Sequence, residues 1–101
     1  MNAKFSERLA GLSTPHLADA CLRVGAPVRA PAGVTAVQRG MRCAGRALPV
    51  RHVGSVDVFL EALGHARPGD VLVVDNGGRL YEACVGDLVT LEVQKAACMA
   101  L

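Results

Sequence analysis

The spacing of apolar residues changes from stretch to stretch along the chain, and each spacing predicts an element. Ser13-Thr14-Pro15 reads as a helix start, because a hydroxyl can cap free N–H groups and proline is tolerated in the first turn. Leu17, Cys21, Leu22 and Val24 then fall near one face, and Gly25-Ala26-Pro27 supplies the stop. Ahead of it, Phe5 to Leu12 is a shorter candidate helix ended by Gly11.

From Ala26 to Gly40 the chain is rich in Pro, Gly and Ala with weak periodicity, which predicts a connection holding at most one short strand. Arg42 to Val53 reads as extended, with Leu48, Val50 and His52 alternating against Ala47, Pro49 and Arg51. Pro49 places this strand at a sheet edge or a bulge, since proline cannot donate to a ladder on both sides. Ser55 can cap a further helix in which Val56, Phe59, Leu60 and Leu63 share a face, with Asp57 favouring its positive end and Pro68-Gly69 ending it. Val71-Leu72-Val73-Val74 is a continuous β-branched and aliphatic run, the pattern of a strand covered on both faces in a parallel sheet. Helices alternating with such strands predict an α/β domain.

A last helix is expected to begin near Gly86-Asp87. Asp87, Thr90 and Gln94 form a narrow polar stripe on it, while Leu88, Val89, Leu91, Val93, Ala96, Ala97 and Ala100 cover most of the rest, so the spacing predicts a helix built to be buried. Ala97-Cys98-Met99-Ala100-Leu101 brings no polar cap, glycine stop or following strand, so the terminus reads as a cut through a domain.

Composition narrows the class. At 101 residues, with 51% hydrophobic and 20% charged residues, the chain is one domain or part of one, and too apolar for disorder. Phe5, Phe59 and Tyr81 are the only aromatics beside no Trp, so the core is expected to be aliphatic. A net charge of +2, with arginines scattered, argues against direct nucleic-acid binding. The N-terminus lacks a signal-like apolar stretch and no apolar run reaches membrane-span length, which predicts a soluble, cytoplasmic protein. Cys21, Cys43, Cys84 and Cys98 are widely spaced and read as small buried thiols.

Candidate chemistry centres on Asp75-Asn76-Gly77-Gly78 and the Gly86-Asp87 pair after it. In open α/β sheets ligands bind beyond the carboxyl ends of the strands, and this turn follows the Val71–Val74 run. Consecutive glycines let the backbone approach a ligand, and N–H groups at the next helix start can hold a carboxylate or phosphate. Asp87 could add a metal-facing carboxylate. The plainer alternative is a tight turn followed by a favourable first-turn acid. No P-loop and no Gly-x-Gly-x-x-Gly is present. His16, His52 and His65 read as structural, and Asp19 as structural or interfacial. Arg46 and Arg51 could line a cleft for an acidic substrate, although solvated strand arginines are commoner. Asp57, Glu61 and Arg67, and likewise Glu82 and Glu92, read as exposed surface.

Leu12 to Ala20, Gly45-Arg46-Ala47, Ala66 to Asp75 and Ala83-Cys84-Val85-Gly86-Asp87 follow one another in an order that resembles RraA-like proteins, the regulators of ribonuclease activity A and the 4-hydroxy-4-methyl-2-oxoglutarate aldolases. The resemblance implies an N-terminal portion of a single swivelling β/β/α domain over residues 1–101, assembling as a homo-oligomer, a trimer or hexamer, with sites between subunits. It implies a lyase that uses Mg²⁺ or Mn²⁺ to cleave 4-hydroxy-2-oxo acids or oxaloacetate to pyruvate. Asp87 would meet the metal in its outer shell, through water. Gly77, Gly78, Gly86 and the N–H groups of Leu88 and Val89 would bind substrate. The family's later Arg-Asp pair has no counterpart up to Leu101, so impaired catalysis is expected: the cation and positive donors that an enolate requires would be lacking. The alternatives are a non-catalytic interaction protein resembling the ribonuclease E inhibitor, and a small-anion-binding module using the glycine loop alone.

Overall fold

The computed structural model describes residues 3–96 and 99–100. Two helices come first, α1 (Ala3–Ala10) and α2 (Thr14–Val24). A long irregular stretch leads to β1 (Ala47–Arg51), followed by α3 (Asp57–Leu63), β2 (Val71–Asp75), α4 (Asp87–Lys95) and β3 (Met99–Ala100). The three strands form one parallel sheet in the order β1-β2-β3, with Ala47 opposite Val71, Arg51 opposite Asp75, and Val71 opposite Met99.

The expected signals act as read in several places. Ser13 caps α2 by accepting a hydrogen bond from the His16 N–H, and Gly25 ends the helix at φ 74° while the Ala26 N–H reaches back to the Cys21 carbonyl. Leu48, Val50 and His52 turn inward from β1 and Ala47, Pro49 and Arg51 face solvent. β1 is an edge strand, where the missing N–H of Pro49 disturbs no ladder. β2 is the central strand, with Val71 and Leu72 buried. The Ser55 hydroxyl accepts from the Asp57 N–H, but the N-cap of α3 is Val56, one residue later than the expected cap, and it makes no side-chain cap bond.

Other expectations are corrected. The extended region narrows from Arg42–Val53 to Ala47–Arg51, while Ala26 to Gly40 is a connection as expected, without a strand. α3 ends at Leu63, before Pro68. The last helix stops at Lys95 with Ala96 as its cap, and the backbone at Met99–Ala100 pairs with β2, so a following strand is present. α4 is half-exposed: Val89 and Val93 are buried, but Leu88 is 74% and Leu91 52% exposed. One narrow stripe suffices to seat a helix on a sheet, so apolar content overstated its burial. The apolar face expected of α2 is not a core face either, since no residue of that helix is buried. Cys43 is exposed and Cys21 and Cys84 are half-buried; Cys98 and Ala97 lie outside the described residues.

The core consists of Val50, Phe59, Leu72, Val89 and Val93, with Leu48, Val58, Ala62, Leu63, Val74 and Cys84 packed around it. Phe59 and Leu72 have no exposed surface. Below this core, at the amino ends of the strands, several motif residues meet in a joint. A Cβ on Gly45 would lie 2.0 Å from the Gly69 carbonyl oxygen, so the two segments touch backbone to backbone. Arg46 holds the buried Asp70 carboxylate through two bonds, Nε at 2.9 Å and Nη2 at 2.6 Å, and the Arg67 N–H adds a third at 2.9 Å. The Val71 N–H reaches the Arg46 carbonyl at 2.8 Å and so extends the ladder into the joint. The Arg46 guanidinium, supported by the Arg67 N–H and opposed by burial, holds Asp70 down from the usual 3.8 to about 2.

Packing between elements is concentrated in the sheet, α3 and α4; α1 and α2 extend away from that layer. The molecule measures 41 × 28 × 27 Å and exposes 7915 Å². A compact globule of 10.5 kDa would expose about 5,400 Å².

Candidate active site

Because β1, β2 and β3 are parallel, α3 and α4 are crossover helices, and both begin at the carboxyl end of the sheet. The β1–α3 loop, the Asp75–Gly78 turn and the start of α4 therefore lie at one end of the fold. That end is where an open parallel sheet binds its ligands.

The turn closes on itself. The Asp75 carboxylate accepts from the Gly77 N–H at 2.8 Å, and the Asn76 side-chain oxygen accepts from the Gly78 N–H at 3.1 Å. The Asn76 amide donates in turn to the Arg79 carbonyl at 3.0 Å. Gly77 and Gly78 hold φ of 71° and 74°, a region that side chains disfavour, and a Cβ on Gly77 would meet the Arg79 guanidinium at 2.9 Å. The two glycine N–H groups are thus engaged within the turn.

Arg79 fixes the turn to its surroundings. Its Nε donates to Glu82 at 2.8 Å and its Nη2 to the His52 carbonyl, tying the β2 turn to the end of β1. Glu82 is correspondingly half-buried, not the exposed surface acid expected. His52 continues the ladder one residue past β1, its N–H bonding the Asp75 carbonyl at 2.8 Å. Its ring is 1% exposed, stacks on Phe59 with centroids 5.3 Å apart, and keeps a buried Nδ1 without a hydrogen-bond partner. Composition offered no sign of either role. Arg79 follows the glycine pair directly, which is the one local signal that could have drawn attention to it.

Gly86 is the N-cap of α4, and Asp87 is its exposed first residue. The Asp87 carboxylate accepts from the Leu88 N–H at 2.9 Å, and the Thr90 hydroxyl bonds the Gly86 carbonyl at 2.8 Å. This acid compensates the positive end of the helix dipole with its own charge. Arg46, in contrast, sits at the opposite end of the sheet in the Asp70 joint, while Arg51 is exposed beside Asp75 in the strand register.

A divalent cation needs several oxygen ligands, even when it retains waters. Among the described residues no group of three or more His, Cys, Asp or Glu could hold a metal ion. Asp87 alone can accept from a metal-bound water, but one exposed carboxylate is not a metal site, and these residues do not fit a metal by themselves. No helix among the described residues is long and apolar enough to cross a membrane.

An open parallel α/β unit with a glycine turn and a helix start at the carboxyl ends of its strands is the class that fold and loops define. Residues 14–101 match the RraA-like family, described as Aldolase/RraA, and the chain belongs to that family. Its fold is similar to that of Streptomyces coelicolor RraAS2, described as an unusual member of the RNase ES inhibitor RraA protein family. That likeness has a TM-score of 0.81 at 23% identity and covers 98% of this chain and 51% of the other, so the chain spans about half the length of its structural relative. No curated protein matches the sequence.

Proposed function

We propose that the chain carries the carboxylate-binding side of an RraA-like lyase site that takes a small 2-oxo acid, oxaloacetate or a 4-hydroxy-2-oxo acid, to pyruvate in the cytoplasm. The observation that supports it is Asp87 at the exposed start of α4, at the carboxyl end of a parallel sheet, in a chain of the Aldolase/RraA family. First-turn N–H groups of a helix have no acceptor within the helix, so those of Leu88 and Val89 suit a substrate carboxylate. The Leu88 N–H is held by Asp87, so a bound carboxylate must displace that side chain. Gly77 and Gly78 contribute a surface free of side chains more than they contribute donors. Mg²⁺ or Mn²⁺ would supply the positive charge that an enolate requires, and among the described residues no group of three or more His, Cys, Asp or Glu could hold the ion. The test is pyruvate release from oxaloacetate with Mg²⁺ or Mn²⁺, with and without chelator. Chelator-sensitive turnover that falls at least about tenfold in Asp87→Ala supports the proposal; turnover that survives the substitution contradicts it.

A second reading, a partner-binding regulator, draws on exposed apolar residues at the same end. Leu80 is 99% and Tyr81 88% exposed, between Arg79 and Glu82, which bond each other. Exposed clusters of this kind mark interaction sites, and the structural relative is described within an RNase ES inhibitor family. In this reading the partner is a ribonuclease of the RNase E type. Inhibition of such an enzyme by the chain, lost in Leu80→Ser/Tyr81→Ser, supports it; no inhibition at saturating chain contradicts it.

A further inference from the structure

Arg79 is anchored at two of its three guanidinium nitrogens. Nε donates to Glu82 at 2.8 Å and Nη2 donates to the His52 carbonyl, which fixes the plane of the group between the end of β1 and the turn after β2. Among the described residues Nη1 makes no hydrogen bond. It lies against Gly77, where a Cβ would come within 2.9 Å of it, and the place of a Cβ on Gly78 is open space. The two glycines, both at positive φ, thus leave bare backbone beside this nitrogen, and the arginine side chain is 24% exposed. The acids around it are engaged elsewhere: Glu82 holds Nε and sets its other oxygen beside Gly54 of the β1–α3 loop, while Asp75 accepts from the Gly77 N–H. A guanidinium donates through every nitrogen, and one already held in plane loses little freedom when its last nitrogen takes a partner.

We propose that Arg79 is a substrate-binding residue that selects dicarboxylates, its Nη1 receiving the second carboxylate of a 2-oxo diacid whose first carboxylate sits at the start of α4. The proposal rests on the reading of the α4 start given above and adds the group that recognises the far end of the ligand. Anion donors then stand on two separate elements at the carboxyl end of the sheet, the glycine turn and the helix start. A monocarboxylate satisfies one of them and a diacid satisfies both. A charge-assisted bond from a guanidinium to a carboxylate is stronger than a neutral one. The bond to Glu82 does not use up this capacity, because it occupies Nε and leaves Nη1 to donate.

The experiment is NMR titration of the full chain with pyruvate and with 2-oxoglutarate, both in the presence of Mg²⁺, following the backbone amides and the Arg79 Nε–H. We expect 2-oxoglutarate to shift the Arg79 signal and pyruvate to leave it in place. In Arg79→Gln the affinity for 2-oxoglutarate should fall at least about tenfold, while that for pyruvate stays within about threefold. A purely structural role for Arg79 would weaken both ligands alike. Glu82→Gln keeps an acceptor for Nε and removes the negative charge, so 2-oxoglutarate should bind at least about threefold tighter. Equal affinities for the two ligands in the parent chain, an equal loss of both in Arg79→Gln, or a Glu82→Gln chain that does not gain affinity for 2-oxoglutarate overturns the proposal. An Arg79 signal that answers to 2-oxoglutarate alone while Leu88 and Val89 stay unmoved supports Arg79 as the diacid contact and removes the α4 reading instead; no response to either ligand overturns both.

Discussion

At the scale of single residues, charge and burial separate two acids that the sequence leaves alike. Asp70 is buried against Arg46 and held to about 2, whereas Asp87 is exposed at a helix start. A carboxyl with a folded-state pKa below its unfolded value stabilises fully above the unfolded value and loses that contribution as pH falls through the folded one. Stability should therefore decline as pH drops from about 4 towards 2, and urea titrations across that range should show the decline flattened in Asp70→Asn. At pH 7 the same variant should lose about 2 kcal/mol, the worth of hydrogen bonds to a charged group. His52 makes the opposite case. Its buried Nδ1 has no partner, so His52→Phe, which keeps a ring against Phe59, should leave stability unchanged or raise it by about 1 kcal/mol. A loss of 2 kcal/mol or more in urea unfolding would show that the nitrogen is engaged after all.

Elements answer for how much of the fold was legible. Ser13 and Gly25 bound α2, Pro49 marks the edge strand, and Val71-Leu72-Val73-Val74 marks the central one, because each signal is local backbone chemistry. What escaped is what depends on distant partners. Gly45-Arg46 and Arg67-Pro68-Gly69-Asp70 read as parts of a motif or a cleft, but they are two halves of one joint, and only the parallel pairing of β1 with β2 brings them together. The same applies to the site: Gly77-Gly78 and Asp87 were visible, while the anchoring of the turn by Arg79 to His52 required the strands to be in register. Apolar spacing alone also overstated the burial of α4 and missed the strand at Met99–Ala100. The joint makes a sharp prediction. Gly45→Ala drives a methyl into the Gly69 carbonyl and should destabilise by about 3 kcal/mol, measured as a shift of the urea midpoint without change in slope.

For the whole molecule, the arrangement is a small parallel sheet whose carboxyl end gathers the loops and whose N-terminal helices stand apart from the core. The accessible surface is large, and Leu22, Val24, Leu80, Tyr81 and Leu88 are exposed on it. Tyr81 is the single tyrosine and there is no Trp, so intrinsic fluorescence reports directly on the loop beside the site. The central proposal, that the start of α4 receives the carboxylate of a 2-oxo acid, is tested most directly by backbone amide NMR during titration with pyruvate in the presence of Mg²⁺. We expect saturable shifts largest at Leu88 and Val89; shifts that are absent there, or that centre on another element, would contradict it.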